Sequence, residues 1–214
     1  MKIKLFIIVI ICLIPGLSGA QVISGYGIKG AFTRSMFETE EGYNFSTWRS
    51  GFNAAVYAEK EIFESVSLVI QLEYCQKGYC FEQVETDETG MVIQDVRAIT
   101  RLDYISVPLF LKVIYPAHKF SPFVTIGPRF DYLVHIRKGR FEFASGAFTD
   151  DFADHLKSGV LGGSISCGLQ MPVSNQHRIS LEFRYNYDFS DSAEEPVLYT
   201  VKNKSYDIWL GIGF

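Results

Sequence analysis

The chain has 214 residues, with 20 Lys and Arg against 24 Asp and Glu, and carries 18 Gly, 18 Phe and 12 Tyr. A formal net charge of −4 disfavours generic binding to nucleic acid or to an anionic membrane surface. The length suits one domain, and no Pro-rich or Ser-rich linker or internal repeat divides it.

The first segment, MKIKLFIIVIICLIPGLSGAQ, has two early lysines, an apolar run from Leu5 to Ile14, a Pro-Gly break and small residues at Ser18 and Ala20. This pattern predicts a signal peptide over residues 1–20, cleaved after Ala20, and a mature domain over 21–214. The apolar run is too short to span a bilayer comfortably as an anchor. Cys12 lies inside it, without the small residues that precede a lipid-attachment cysteine. Removing Lys2 and Lys4 from the 20 basic residues leaves 18 against 24 acidic ones, a mature formal charge of −6.

No sustained helical period follows, and abundant Gly, Phe and Tyr point to an all-β protein. The first predicted strand, roughly 22–33, puts Tyr26, Ile28, Gly30 and Phe32 on one face and Lys29 on the other. The second, near 50–60, aligns Phe52, Ala54, Val56 and Ala58. In the third, Leu68, Ile70, Leu72 and Tyr74 alternate with Ser67, Gln71, Glu73 and Cys75. The fourth sets Ile105, Val107, Leu109, Leu111 and Val113 against Tyr104, Ser106, Pro108, Phe110 and Lys112. In the fifth, Val124, Ile126, Phe130, Tyr132 and Val134 oppose Thr125, Gly127, Arg129, Asp131 and His135. The sixth sets Leu161, Ile165, Cys167, Leu169 and Met171 against Gly162, Ser164, Ser166, Gly168 and Gln170. The seventh sets Ile179, Leu181, Phe183, Tyr185, Tyr187 and Phe189 against Ser180, Glu182, Arg184, Asn186 and Asp188. The eighth is SYDIWLGIGF, with Tyr206, Ile208, Leu210, Ile212 and Phe214 on one face.

Eight strands fit an antiparallel up-and-down barrel. Short links at EIFESV, PAHK and PVSNQ alternate with long polar ones near 34–49, 79–100, 137–157 and 190–204. That segregation predicts a transmembrane barrel with periplasmic turns and extracellular loops. The polarity of the faces agrees. Lys29, Glu73, Lys112, Arg129, Asp131, Glu182 and Arg184 share the second face with small residues, a set too charged for an apolar ligand-binding lumen. This predicts a filled, ion-paired interior, with the apolar face on outer-membrane lipid. The aromatic Phe214 then sits at the membrane interface. The stripe Tyr206, Ile208, Leu210, Ile212 and Phe214 resembles the signal read by the barrel-insertion machinery.

YCQKGY, LDYISVPLFLKVIY, PFVTIGPRFDYLV, GVLGGSISCGLQM and LEFRYNYDFSD resemble the PorT-type outer-membrane β-barrel family of Bacteroidetes over nearly the whole mature chain. The most distinctive matches are Tyr104, Pro108, Leu109, Leu111 and Lys112, and the pair Gly127-Pro128. Cys75 and Lys157 depart from the family's usual residues. The resemblance implies a barrel in the outer membrane of a Gram-negative bacterium; the family's namesake is tied to a secretion system, a role that fold alone does not transfer.

Residues with chemical potential lack organising motifs. His135 and His155 with Asp150, Asp151 and Asp154 have no recognised metal-ligand spacing, which favours a solvated acidic loop. Ser145, Ser158, Asp150 and His135 lie near the predicted outer rim without a nucleophile motif. Neither an enzyme nor a cofactor is therefore expected. Cys75 and Cys80 can form a disulfide only if a turn begins between them. Phe37, Tyr43, Phe45 and Trp48, with Phe141, Phe143 and Phe148, predict an aromatic cap over the barrel, or a protein-partner surface in the loops. Asp191 to Ala193, DSA, matches a short O-glycosylation triplet. The expected function is that of a non-enzymatic integral barrel acting through its loops or within an envelope or secretion assembly. Competing classes are a small-solute channel and a soluble periplasmic carrier.

Overall fold

The computed structural model describes residues 23–39, 46–86, 89–117, 119–143, 146–149, 151–174, 177–193 and 200–214; at 39, 83, 141, 143 and 146–149 it describes the backbone only. The predicted signal peptide, Tyr43, Phe45, Ser145 and Asp150 lie outside these residues, as do the side chains of Phe141, Phe143 and Phe148.

The described chain forms β1 (Gly25–Thr39), β2 (Arg49–Phe63), β3 (Val66–Thr86), β4 (Val92–Ile114) and β5 (Ser121–Arg137). A small hairpin, β6 (Arg140–Phe143) and β7 (Gly146–Thr149), precedes a 3-10 turn at Phe152–His155. The chain continues with β8 (Gly159–Pro172), β9 (Arg178–Asp188) and β10 (Val201–Gly213). Eight strands close in the order β1-β10-β9-β8-β5-β4-β3-β2, every pair antiparallel. β1 pairs with β10 from Gly27↔Gly213 to Thr39↔Val201, so the barrel has no open edge along that seam.

Period-two alternation sets which side chains face in. On β10, Ile208, Leu210 and Phe214 are exposed at 51%, 62% and 42%, while Trp209 between them is fully buried. The same holds around the wall, so a continuous apolar belt covers the outside. Aromatic residues rim it at both ends, as membrane barrels require. Tyr26 stacks on Phe214 at 5.7 Å at the short-turn end. Tyr206 lies 5.1 Å from Tyr185 and 5.4 Å from Trp48 at the other. From Tyr206 to Phe214 the belt matches the ~9–11 residues a tilted strand needs to cross a bilayer.

Two features differ from the expectation. The link near 79–100 is mostly strand: β3 and β4 stay paired from Gln76↔Asp103 to Thr86↔Val92, a ribbon standing beyond the belt. Its polarity suggested a loop, but a two-stranded ladder satisfies its own backbone without needing an apolar face. Gly78, with φ +145°, marks where the ribbon leaves the barrel; a Cβ there would stand 2.2 Å from the Thr100 carbonyl oxygen.

His135 does not join Arg129 and Asp131 inside. An irregularity between Asp103 and Tyr104 pairs Tyr104 with Leu133 and Asp103 with His135, so the β5 strand gains a residue and His135 turns to the exposed surface. Cys75 and Cys80 are buried free thiols, because β3 runs through both positions without the turn a disulfide needs.

Candidate functional site

The lumen is built in layers from the inward residues of all eight strands. At the short-turn end Lys112 on β4 donates to both carboxylate oxygens of Glu59 on β2, at 3.1 and 3.0 Å, and to Gln170 on β8 at 3.0 Å. Lys29 on β1 reaches Glu182 on β9 at 2.7 Å. The cavity left among these side chains is about 20 Å³, space for roughly one water.

Arg184 on β9 occupies the middle. Its guanidinium donates to Glu73 at 2.6 Å, Glu182 at 2.9 Å and Gln71 at 3.1 Å. The rings of Phe110 and Trp209 lie on it, each centroid 4.7 Å away. A planar cation is thus held at its edge by carboxylates and stacked against two aromatic rings, a geometry lysine cannot reproduce.

Above it Lys77 on β3 contacts Asp131 at 2.5 Å and Asp188 at 3.2 Å. Arg129 pairs with the same two carboxylates, lying 3.3 Å from Asp131. Asp207 accepts from Thr33 at 2.5 Å and Asn186 at 2.7 Å. All seven residues singled out from the sequence therefore point into the lumen, Lys29 at its margin and the other six buried. The terminal stripe Tyr206, Ile208, Leu210, Ile212 and Phe214 lies wholly on the outside.

The network also holds Glu59, Lys77, Asp188 and Asp207, which the sequence alone does not single out. Strand parity was the available signal. Asp188 continues the Glu182-Arg184 face, Asp207 shares that of Trp209, and Glu59 lies on the inward register of β2. Lys77 follows Glu73 and Cys75 on the same face, close to where the polar 79–100 link suggests that the third strand ends.

Over the charged layers sits an apolar roof at the long-loop end. Phe37, Tyr79, Leu102, Tyr104, Leu156 and Val201 form a buried cluster, with Ala153 and Ala193. Phe37 meets Tyr79 edge-on at 5.2 Å, and Phe152 approaches Tyr79 at 5.7 Å. Of the loop aromatics named above, Phe37 joins this roof, whereas Trp48 joins the aromatic rim. No group of three or more His, Cys, Asp or Glu among the described residues could hold a metal ion.

A closed eight-stranded antiparallel barrel with a charged, filled lumen and an apolar outer belt between aromatic rims defines an integral membrane β-barrel. The chain belongs to the outer membrane protein beta-barrel domain family, whose model matches residues 20–194, and it is an outer-membrane protein. Solved structures of similar fold include Neisserial surface protein A (NspA), 12% identical, covering 88% of this chain and 95% of that one with a TM-score of 0.47. The attachment invasion locus protein Ail of Yersinia pestis, solved with the heparin analogue sucrose octasulfate, is 14% identical (89% and 98% covered, TM-score 0.40). OprG from Pseudomonas aeruginosa is 10% identical (90% and 96% covered, TM-score 0.45). No curated relative matches the chain.

Proposed function

We propose that the protein is a non-enzymatic barrel of the PorT type from a Bacteroidetes outer membrane that acts on a protein partner through its extracellular face, chiefly the β3–β4 ribbon. On this reading residues 1–20 are a signal peptide, the barrel-insertion machinery reads the lipid-facing stripe of β10, and the short turns lie in the periplasm. The observation that carries it is the ribbon itself. Past the belt the β3–β4 ladder continues through the roof as far as Thr86 and Val92. Along that ribbon Val84, Met91, Val92 and Ile93 are exposed at 53–72%. Contiguous exposed apolar side chains outside the membrane mark an interaction surface. A role within an envelope or secretion assembly is the specific form of this reading.

The filled layers and the roof argue against a small-solute channel, and the apolar belt argues against a soluble carrier. In planar bilayers the purified protein is expected to give no discrete conductance steps; regular steps would favour the channel. The reading itself is tested with a photo-crosslinker at position 93 in intact cells. A discrete crosslinked protein is expected, and it should disappear when residues 82–96 are replaced by a short turn. That variant should keep the faster gel migration of an unboiled, folded barrel. Absence of a specific crosslink from a surface-exposed ribbon overturns the reading.

A further inference from the structure

The small chamber at the short-turn end of the lumen is lined by three cations, Lys29, Lys112 and Arg178, and by one carboxylate, that of Glu59. The ion pairs behind its wall do not restore the balance. Glu59 takes Lys112, Glu182 takes Lys29, and Arg184 is shared by Glu73 and Glu182. Four cations thus meet three carboxylates, and the half-buried Arg178 guanidinium has neither an ion pair nor a hydrogen bond among the described residues. The neutral groups of the lining are short of acceptors in the same way. Both oxygens of Glu59 and the amide oxygen of Gln170 accept from Lys112, and the amide oxygen of Gln71 accepts from Arg184. Those bonds fix which end of each amide is nitrogen, and neither amide nitrogen, nor the Tyr57 hydroxyl, has a hydrogen bond among the described residues. The strands make room for this arrangement. A Cβ at Gly25 would stand 2.4 Å from the Arg178 guanidinium, and one at Gly27 would stand 2.6 Å from the Tyr57 ring.

We propose that this chamber binds one chloride ion, held by Arg178, by the remaining protons of Lys29 and by the amide nitrogens of Gln71 and Gln170. A cation withdrawn from water without a counter-ion keeps its desolvation cost, and donors without acceptors add to it. A small anion that only accepts answers both surpluses at once. Water answers half of the second and none of the first, because its own two protons would face cations and N–H groups. The volume narrows the ligand further: about 20 Å³ admits one water-sized particle and excludes phosphate, sulfate or a solute bearing a carboxylate. Arg178 also lines the open depression at the short-turn mouth, with Ser24, His177 and Phe214, so the ion enters past the guanidinium. The Arg184 layer closes the path above the chamber, and the site therefore keeps its ion in place of conducting it.

Two measurements on the folded barrel test this. Crystals soaked in sodium bromide are expected to show an anomalous peak in the chamber beside Arg178. In phospholipid vesicles, replacing gluconate by chloride at constant ionic strength is expected to raise the urea midpoint of wild type, with the logarithm of the chloride concentration as a single site requires. Arg178→Gln removes the surplus cation and is expected to lose both the peak and the rise. If that variant does not fold, the wild-type map and titration decide the matter together. The proposal is overturned if the chamber shows no bromide or holds only water. It is also overturned by a bromide peak without any chloride dependence in wild type, which marks an adventitious ion only, or by Arg178→Gln responding to chloride as wild type does.

Discussion

Arg184→Leu is expected to destabilise the barrel by about 3–5 kcal/mol, the range for removing one partner of a buried ion pair. The substitution leaves Glu73 without its cation and Glu182 with Lys29 alone, and it removes the group stacked between Phe110 and Trp209. Most of the loss comes from the stranded carboxylate, since a buried charge without a partner keeps its full desolvation cost. Pairing Arg184→Leu with Glu73→Gln should therefore recover part of the stability. Arg184→Lys keeps the charge but cannot make the three edge bonds or stack as a plane, so it should fall between wild type and the leucine variant. Urea unfolding in phospholipid vesicles, followed by tryptophan emission, checks all three, because Trp209 lies against the altered site. A cost under about 1 kcal/mol for Arg184→Leu, the usual worth of a solvent-exposed pair, would mean the lumen is wet.

Leu210→Arg is expected to cost about 2–4 kcal/mol, the penalty for a basic side chain on the lipid face at mid-membrane depth. Leu210 is 62% exposed near the middle of the β10 stripe, between Tyr206 and Phe214. The same change at Ile93, 53% exposed on the ribbon, should stay within about 0.5 kcal/mol, as surface substitutions usually do. The contrast isolates the solvent, because both leucine and isoleucine are exposed and neither packs in a core. Equal, small effects at both sites would place Leu210 in water and overturn the membrane assignment. Unfolding in vesicles of each variant gives the comparison.

The architecture was legible in the sequence because both halves of each strand carry information. Tyr206, Ile208, Leu210 and Ile212 spell one face, and Asp207, Trp209 and Gly211 the other, so parity alone separates lumen from lipid. The charged lumen was legible for the same reason wherever a strand was located, as at Glu182 and Arg184. Parity fails where the register changes. One additional residue near Val134 sends His135 outside, and nothing in the local composition marks that bulge. Strand ends were also hidden. A ladder that projects into water needs no apolar face, so the extension of β3 to Thr86 resembles a polar loop until its partner in β4 is seen.

The seam between β1 and β10 joins Gly27 to Gly213, nearly the two extremes of the described chain. Every other pairing in the wall joins strands closer in sequence than this one. Bringing such distant segments together costs roughly 2.5 kcal/mol more chain entropy than closing a ten-residue hairpin, and non-local contacts of this kind slow folding. Until the final strand has arrived, both β1 and β9 present open edges that are templates for pairing with other chains. A partially assembled sheet is therefore at its most aggregation-prone just before completion, and the period between synthesis and seam formation is when the chain depends most on being held apart from its own copies.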